Sequence, residues 1–492
     1  MAKFTFIDLF AGIGGFRIAL DHCGGSCVGF SEIAPDAINT YCSNFNEKSD
    51  KNFGDITKLL NLPKHDFMTA GVPCQSWSIA GKNLGFDDDR GQLWNDTLYL
   101  LNQSNPKTFI FENVKGLADP RNEKALQYIL ERIKQAAEKF VLDASEYGVP
   151  QTRVRIYIIG FLESKYYKRF HLPEPFKNKI CLGDILDGFE NITVSYQDKK
   201  PKQSLSCNEL GFNDYFLFND LRNGDTTIHS WDIIDTTEKE KQICLLLLSN
   251  RRKKKYGVLD GNPLNLDHFK ELNPSITKDD LDALVKKGIL KKVKYSYSIS
   301  NNIPTNSSDD VRYILSCNNN NIINVDELKE NKALKKRTIK VVENLEKLES
   351  NGFIKCIEER YDFRNTRIST GLNGINRIFL PSSKIYPTLV ASDTNDFVSL
   401  EQIYASTPSE WKKQFINQIY KMNKYRKITK EEACKIQGFP TDFILPDSRP
   451  RWMHLIGNSV AVPVIKMLSE SIVKTGVFDE NDWDGHTEKL IV

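Results

Sequence analysis

Phe4-Thr-Phe-Ile-Asp-Leu-Phe-Ala-Gly-Ile-Gly-Gly-Phe16 joins a short apolar run, broken by one acid, to a glycine cluster and the start of a helical stretch. A strand that passes through a glycine turn into a helix is the first unit of an α/β layer. The same rhythm continues outward. Phe16 to His22 reads as a helix, Cys27 to Ser31 as a strand that delivers Glu32, and Ala34 to Phe45 as a second helix. Asp66 to Gly71, Thr108 to Phe111 and Arg155 to Phe161 are buried-strand candidates, and Asn122 to Phe140 is read as one long helix. Strands alternating with helices predict a doubly wound, mostly parallel Rossmann-like sheet. Ligands of such sheets bind beyond the carboxyl ends of the strands, where the polar motifs of this sequence fall.

The 492 residues are 40% apolar and 27% charged, with 28 Phe, 18 Tyr and 6 Trp, so disorder as a whole is excluded. At about 100–200 residues per domain, the length predicts two to four domains. There is no basic-then-apolar leader at the first residues, and no run of about 18 apolar residues that could span a bilayer. Ten scattered cysteines form no Cys-x-x-Cys pair and no zinc-ligand spacing, which predicts a cytoplasmic chain with reduced thiols and no metal. The net charge of +3 conceals an asymmetry. Residues 1–160 hold 17 basic and 19 acidic side chains, 161–430 hold 44 and 35, and 431–492 hold 6 and 10. A slightly acidic front half beside a basic middle region suits a nucleic-acid-reading module.

The glycine loop departs from the dinucleotide fingerprint, because Arg17 stands where the third glycine belongs. This disfavours a dehydrogenase. Glu32 at a strand end can accept from ribose hydroxyls, and Asp55 in Gly54-Asp-Ile56 suits an adenine amino group; together they suggest an adenosine-containing cofactor. Gly71-Val-Pro-Cys-Gln-Ser-Trp-Ser78 places Cys74 past a strand end, behind a proline that stiffens the turn. A thiol of pKa about 8.5 needs a special setting to act as a thiolate. Residues 79–91 read as a mobile polar loop able to close over a site. Glu112 ends another apolar strand, where an acid can hold a proton to donate. Arg153 and Arg155 share one strand face and suit an anion or a carbonyl oxygen. The alternative for them is a salt bridge to Glu112 or Asp143.

Phe-x-Gly-x-Gly-Gly, Pro-Cys-Gln, Glu-Asn-Val, Gln-x-Arg-x-Arg and Gly457-Asn-Ser-Val-Ala-Val-Pro463 occur in that order. This set resembles the C5-cytosine DNA methyltransferases of bacterial restriction–modification systems. Arg426-Lys-Ile-Thr-Lys-Glu-Glu-Ala-Cys-Lys-Ile-Gln-Gly-Phe-Pro440 and the pair Thr388-Leu389 add weaker marks. The resemblance implies that Cys74 attacks cytosine C6, Glu112 contacts N3 and the exocyclic amine, and Arg155 binds O2. It implies that Arg153 organises Cys74 and its loop. Phe10, Gly12, Gly14, Glu32, Asp55, Pro73, Asn458 and Val460 then form a pocket for S-adenosylmethionine, with no metal. Gln75, Ser78, Thr388, Lys412, Lys413, Lys424, Arg426 and Lys427 are the expected DNA contacts, the last five lying in a basic run interleaved with aromatics. The target base has to be flipped out of the duplex.

The expected domains are 1–184 for catalysis and cofactor, 185–425 for target recognition with an insertion at about 236–360, and 426–492 returning to the first. Within the insertion, Leu281-Asp-Ala-Leu-Val-Lys-Lys-Gly-Ile-Leu-Lys291 and Leu345-Glu-Lys-Leu-Glu-Ser-Asn-Gly-Phe-Ile-Lys355 both read as helix, glycine cap and strand. They are either two ordinary units or a winged-helix-like duplication. The expected partners are a short duplex DNA sequence and a cognate restriction endonuclease, with the chain itself a monomer. A tRNA cytosine methyltransferase and a catalytically silent DNA-binding regulator are the competing functions. The long variable region argues against the first, and the full set of Cys74, Glu112, Arg153 and Arg155 against the second.

Overall fold

The computed structural model describes residues 2–73, 89–189, 215–217, 228–259, 261–300, 309–331, 333–334, 339–364, 377–384, 386–405 and 407–479. Seven strands come first: β1 (Phe4–Leu9), β2 (Gly25–Ser31), β3 (Phe67–Gly71), β4 (Thr108–Val114), β5 (Ala136–Asp143), β6 (Gln151–Thr152) and β7 (Val154–Phe161). Six of them form one sheet in the order β2-β1-β3-β4-β7-β5. The pairs from β2 to β4 are parallel, and β7 is antiparallel to both β4 and β5.

The central strands are buried on both faces, which is why they read as near-continuous apolar runs. Phe4, Phe6, Phe67, Ile110, Tyr157, Ile159 and Phe161 point one way, into a core shared with helix α1 (Gly15–His22) and the helix Val462–Val473. Ile7, Leu9, Met68, Ala70, Phe109, Phe111, Ile156 and Ile158 point the other way. They meet Trp94, Leu98 and Leu101 of helix α3 (Asp89–Ser104) and Leu126 and Ile129 of helix α4 (Glu123–Arg132). Helix α2 (Pro35–Phe45) completes the layer beside β2. The doubly wound sheet is therefore present. The helix Arg449–Asn458 packs Trp452, Met453 and Ile456 into a further core with Ile436 and Phe439. The apolar stretch Arg449–Val473 is long enough to cross a bilayer, but its two helices part at Ser459 and both are packed into the protein.

The helix expected from Asn122 to Phe140 is two elements. α4 closes at Arg132, Ile133 turns extended, and 136–143 becomes the edge strand β5, paired residue by residue with β7. Ile133 and Ala137 fit a helical stripe, but sheet pairing decides their conformation. The helix Glu238–Asn250 is capped by Thr237 and yields to turns at Arg251.

The later strands are β8 (Tyr215–Leu217), β9 (Leu290–Ile299), β10 (Ile322–Asn324), β11 (Ile354–Phe363), β12 (Arg377–Phe379), β13 (Tyr386–Pro387), β14 (Asp396–Ser399) and β15 (Tyr425–Arg426). They form a β15-β14-β12-β8 sheet, a β10-β9-β11 sheet, and the pair β13-β6 that ties the later region to the start of β7. Both expected helix–glycine–strand units form: Lys278–Lys286 leads through Gly288 to β9, and Val341–Ser350 through Gly352 to β11.

Candidate active site

The chain leaves β1 toward β2 on one side and toward β3 on the other, so the sheet has its switch point at β1. A crevice at such a point is the expected ligand site. A cavity of about 310 Å³ lies there. Phe10 and Gly12 reach it from the end of β1, Glu32 and Ile33 from β2, Gly71, Val72 and Pro73 from β3, and Glu112 and Val114 from β4. Because β7 runs backwards, its beginning lies at this same edge and adds Arg153 and Arg155. Asp55, Ile56, Gly457 and Asn458 complete the wall.

The cofactor end is organised by backbone donors. Glu32 accepts from the Gly12 amide through Oε2 (2.9 Å) and from the Ile33 and Ala34 amides through Oε1 (both 2.8 Å). Its carboxylate thus fixes the glycine loop. Phe10 adopts φ +52 and Gly12 φ +55. The left-handed region is uncommon for an aromatic residue and marks local strain at the loop. The Ser31 hydroxyl donates to the Gly54 carbonyl, which positions Asp55. The Asp55 carboxylate accepts from the amide and hydroxyl of Thr57, and these bonds hold it below the usual carboxylate range. Ile33 is 70% exposed at the rim, an apolar surface open to a planar ring. Two acids set among Phe10, Ile33 and Ile56 fit the hydroxyls, amine and flat face of an adenosine group.

Gly14 and Val460, expected at the cofactor, are not among the residues that line this cavity. A Cβ on Gly14 would meet the Phe45 ring at 2.3 Å, so this glycine serves close packing behind the loop. Val460 packs in the core, where its Cγ2 leaves no room for a Cβ at Gly15.

At the other end Arg155 Nε lies 3.0 Å from Glu112 Oε1, the salt bridge anticipated as an alternative. In register Glu112 stands opposite Gly71, and the buried Asn113 amide donates to the Val72 carbonyl at 3.1 Å. The β3 end and the Glu112 strand are therefore locked together directly before Cys74. Cys74, Gln75 and Ser78 lie outside the described residues, as does most of the expected lid.

Arg153 is 2% exposed. Its Nη1 donates to the Leu389 carbonyl at 2.9 Å and its Nη2 to the Gly457 and Ser459 carbonyls. It ties its own strand to the Leu389 and Gly457–Ser459 segments; its expected duty toward Cys74 and its loop falls on residues outside those described. Gln151 and Gln437, both fully buried, extend this network. Gln151 Nε2 donates to Gln437 Oε1 (2.7 Å), Gln151 Oε1 accepts from the Leu389 amide, and Gln437 Nε2 donates to the Ser459 carbonyl. Thr388 donates its hydroxyl to the Thr152 carbonyl beside them. Sequence reading did not single out Gln437, which stood only as one position of the stretch ending Lys435-Ile-Gln-Gly-Phe-Pro440.

The basic run is largely committed within the protein. Arg426 forms a two-point pair with the buried Glu432, Lys427 reaches Asp393 and the Thr394 carbonyl, Lys412 faces Asp232 at 3.6 Å, and Lys424 faces Glu401 at 3.5 Å. Lys413 and Lys424 remain exposed. Arg426 and Lys427, expected as phosphate contacts, thus have carboxylate partners within the protein.

The switch-point cavity, its acid-bearing cofactor end and the paired Glu112 and Arg155 define a Rossmann-like methyltransferase. The family model for C-5 cytosine-specific DNA methylases matches residues 4–474. The chain belongs to that family and is a DNA (cytosine-5-)-methyltransferase, for which S-adenosylmethionine is the implied methyl donor. It is similar along nearly its whole length to the type II methyltransferase M.HgiBI of Herpetosiphon aurantiacus, with 36% identity over 98% of this chain and 99% of that protein. M.NlaIV of Neisseria lactamica is 30% identical over 96% of this chain and all of that protein. M.HpaII of Haemophilus parainfluenzae is 44% identical over 37% of this chain and 53% of that protein.

Proposed function

We propose that the chain is the modification enzyme of a type II restriction–modification system. In this reading it methylates C5 of one cytosine in a short duplex sequence and protects DNA from a cognate endonuclease. The observation that carries the reading is the Glu112–Arg155 pair beside the β3 end that leads into Pro73-Cys74. The similarity to named type II methyltransferases along the full length supports the biological setting.

The target cytosine leaves the stack and enters the cavity end formed by Glu112, Arg155 and Pro73. Cys74 adds as a thiolate to C6. Glu112 engages N3 and the exocyclic amine, and Arg155 engages O2, so the charge that develops on the ring is matched as it forms. Electrons from the C6–S bond formation make C5 a nucleophile. S-adenosylmethionine, held between Phe10, Glu32, Ile33 and Asp55, supplies the methyl group when bound. Loss of the C5 proton and elimination of the thiolate restore the aromatic ring and free Cys74, which divides one hard step into easier ones. Residues 1–184 with 426–492 provide this chemistry, and 185–425 reads the DNA through the β12–β14 sheet, Thr388, Lys413 and Lys424. The protein acts in the cytoplasm as a monomer.

Bisulfite sequencing of DNA from a host expressing the chain tests the assignment. Protected cytosines at one short motif are expected. Protection of tRNA cytosines with unmodified DNA would instead select the RNA enzyme.

A further inference from the structure

Residues 238–363 are built twice. The first half runs through helix Glu238–Asn250, Leu264, helix Leu266–Leu272, helix Lys278–Lys286 and β9. The second runs through helix Asp309–Ser316, β10, helix Val325–Glu330, helix Val341–Ser350 and β11. Asn265-Leu-Asp-His-Phe-Lys-Glu271 matches Asn324-Val-Asp-Glu-Leu-Lys-Glu330 at four of seven positions. Gly288 and Gly352 share φ +75. The strand pairing obeys a local two-fold axis: Leu290 opposite Phe363 is the counterpart of Ile354 opposite Ile299, and the Leu264–Tyr361 bridge is the counterpart of Ile323 opposite Tyr297. This is the duplication rather than two unrelated units.

The halves have diverged in charge. Residues 238–299 carry 14 Lys and Arg against 8 Asp and Glu, and residues 309–363 carry 10 against 11. The divergence centres on one connection. The second half needs only Cys317 to Ile322 between its first helix and short strand, whereas the first uses 251–263, beginning Arg251-Arg-Lys-Lys-Lys255. The described residues of the longer connection, 251–259 and 261–263, are organised by one side chain. The fully buried Asn262 donates through Nδ2 to the Arg251, Gly257 and Leu259 carbonyls and accepts from the Leu259 amide.

This loop, β9 and helix Val325–Glu330 enclose a cavity of about 320 Å³ lined by Arg251, Lys291, Lys329 and Asp362. Arg251 Nη2 lies 3.0 Å from Asp362 Oδ1, and both side chains are under a tenth exposed. Gly261 admits the guanidinium, since a Cβ there would sit 2.6 Å from Nη2. The two-fold counterparts of Arg251 and Asp362 are Cys317 and Ser298. A buried ion pair does not stabilise a fold over apolar packing, and the second half folds without it. Lys291 and Lys329 form no ion pair or hydrogen bond among the described residues. Among the described residues the lining, which also includes Lys294 paired with Glu349, has more positive than negative charge, and the exposed Arg252, Lys253 and Lys254 follow Arg251 in the chain. A row of cations suits successive phosphates better than one small anion. The helices Lys278–Lys286 and Val341–Ser350 carry Asp279, Asp280, Glu343 and Glu346, so neither is suited to a groove.

We propose that this cavity binds a phosphodiester group of duplex DNA, making the first half of the duplicated unit a backbone-gripping surface separate from the β12–β14 sheet. The proposal rests on the chain acting on duplex DNA.

Fluorescence anisotropy with a labelled duplex of about 40 base pairs, titrated across salt, tests it. Lys291→Gln with Lys329→Gln should weaken binding about tenfold near 0.15 M salt and lower the salt slope by about one to two. The two-fold-related pair Lys270→Gln with Lys355→Gln should bind within about twofold of wild type. Wild-type affinity and slope in the Lys291/Lys329 variant would overturn the proposal. Equal losses in both variants would also overturn it, because they would show diffuse charge. Absence of methyl transfer to the duplex by every form, wild type included, would instead sink the underlying reading.

Discussion

Arg155 Nε and Glu112 Oε1 stand 3.0 Å apart, with side chains only 14% and 11% exposed, at the edge where β4 ends and β7 begins. Each keeps the other in place in the absence of a base. In the proposed mechanism these two groups present a hydrogen-bonding edge and a cation to the flipped cytosine. Glu112→Gln preserves the shape and removes the charge. It should lower kcat by about 10²–10⁴ while duplex affinity changes little. Single-turnover methyl transfer beside an anisotropy titration checks this, and an unchanged rate would remove Glu112 from the chemistry.

Arg153 makes a different contribution. Its guanidinium satisfies carbonyls from Leu389, Gly457 and Ser459. Arg153→Met leaves buried acceptors unpaired, at about 1–3 kcal/mol for each group. The expected result is a clear drop in the temperature of unfolding, read by calorimetry, in contrast to a thermally normal Glu112→Gln.

The cofactor end should respond to Glu32. Its carboxylate receives three backbone N–H bonds, so Glu32→Ala frees the glycine loop. S-adenosylmethionine affinity by calorimetry should fall at least about tenfold, since charge-assisted bonds contribute about 1.5–3 kcal/mol. Ile33→Ala should weaken the same binding without altering stability, because Ile33 is a rim residue.

Asp8 gives a pH signature. It is completely buried in β1, and desolvation lifts its carboxyl from 3.8 to about 7. Thr69 donates to Oδ1, while Oδ2 has no partner among the described residues. Between these two values the folded state holds a proton that the unfolded chain has released, so stability falls as pH rises through that window and levels off above it. Asp8→Asn should flatten this dependence and be more stable than wild type at pH 8, by up to about 4 kcal/mol. Denaturant titrations at pH 5 and 8 decide it; parallel losses in both proteins would exclude Asp8 as the source.

Much of this was legible in the sequence because the chemistry sits at strand ends. Phe10, Glu32, Asp55, Pro73, Glu112 and Arg155 all line one cavity as the motif order implied. Other features depend on contacts that no local pattern encodes. The partners of Arg153 lie more than 230 residues away in sequence. Arg426 looked like a free cation because Glu432, its partner, looked like an ordinary first-turn acid of a capped helix. Gly14 carried the same signal as Gly12, yet only the structure shows that one faces the cavity and the other faces Phe45. Strand β5 was hidden because its alternation coincided with a helical stripe running on from α4.

The central claim is covalent catalysis by Cys74 on a flipped cytosine beside Glu112 and Arg155. Duplex DNA carrying 5-fluorocytosine at the target position, incubated with S-adenosylmethionine, tests it most directly, because fluorine at C5 blocks the elimination that releases the thiolate. The account predicts a denaturant-stable protein–DNA adduct with wild type and none with Cys74→Ala. An adduct that persists in Cys74→Ala, or no adduct from a wild-type protein that still methylates unmodified duplex, would contradict it.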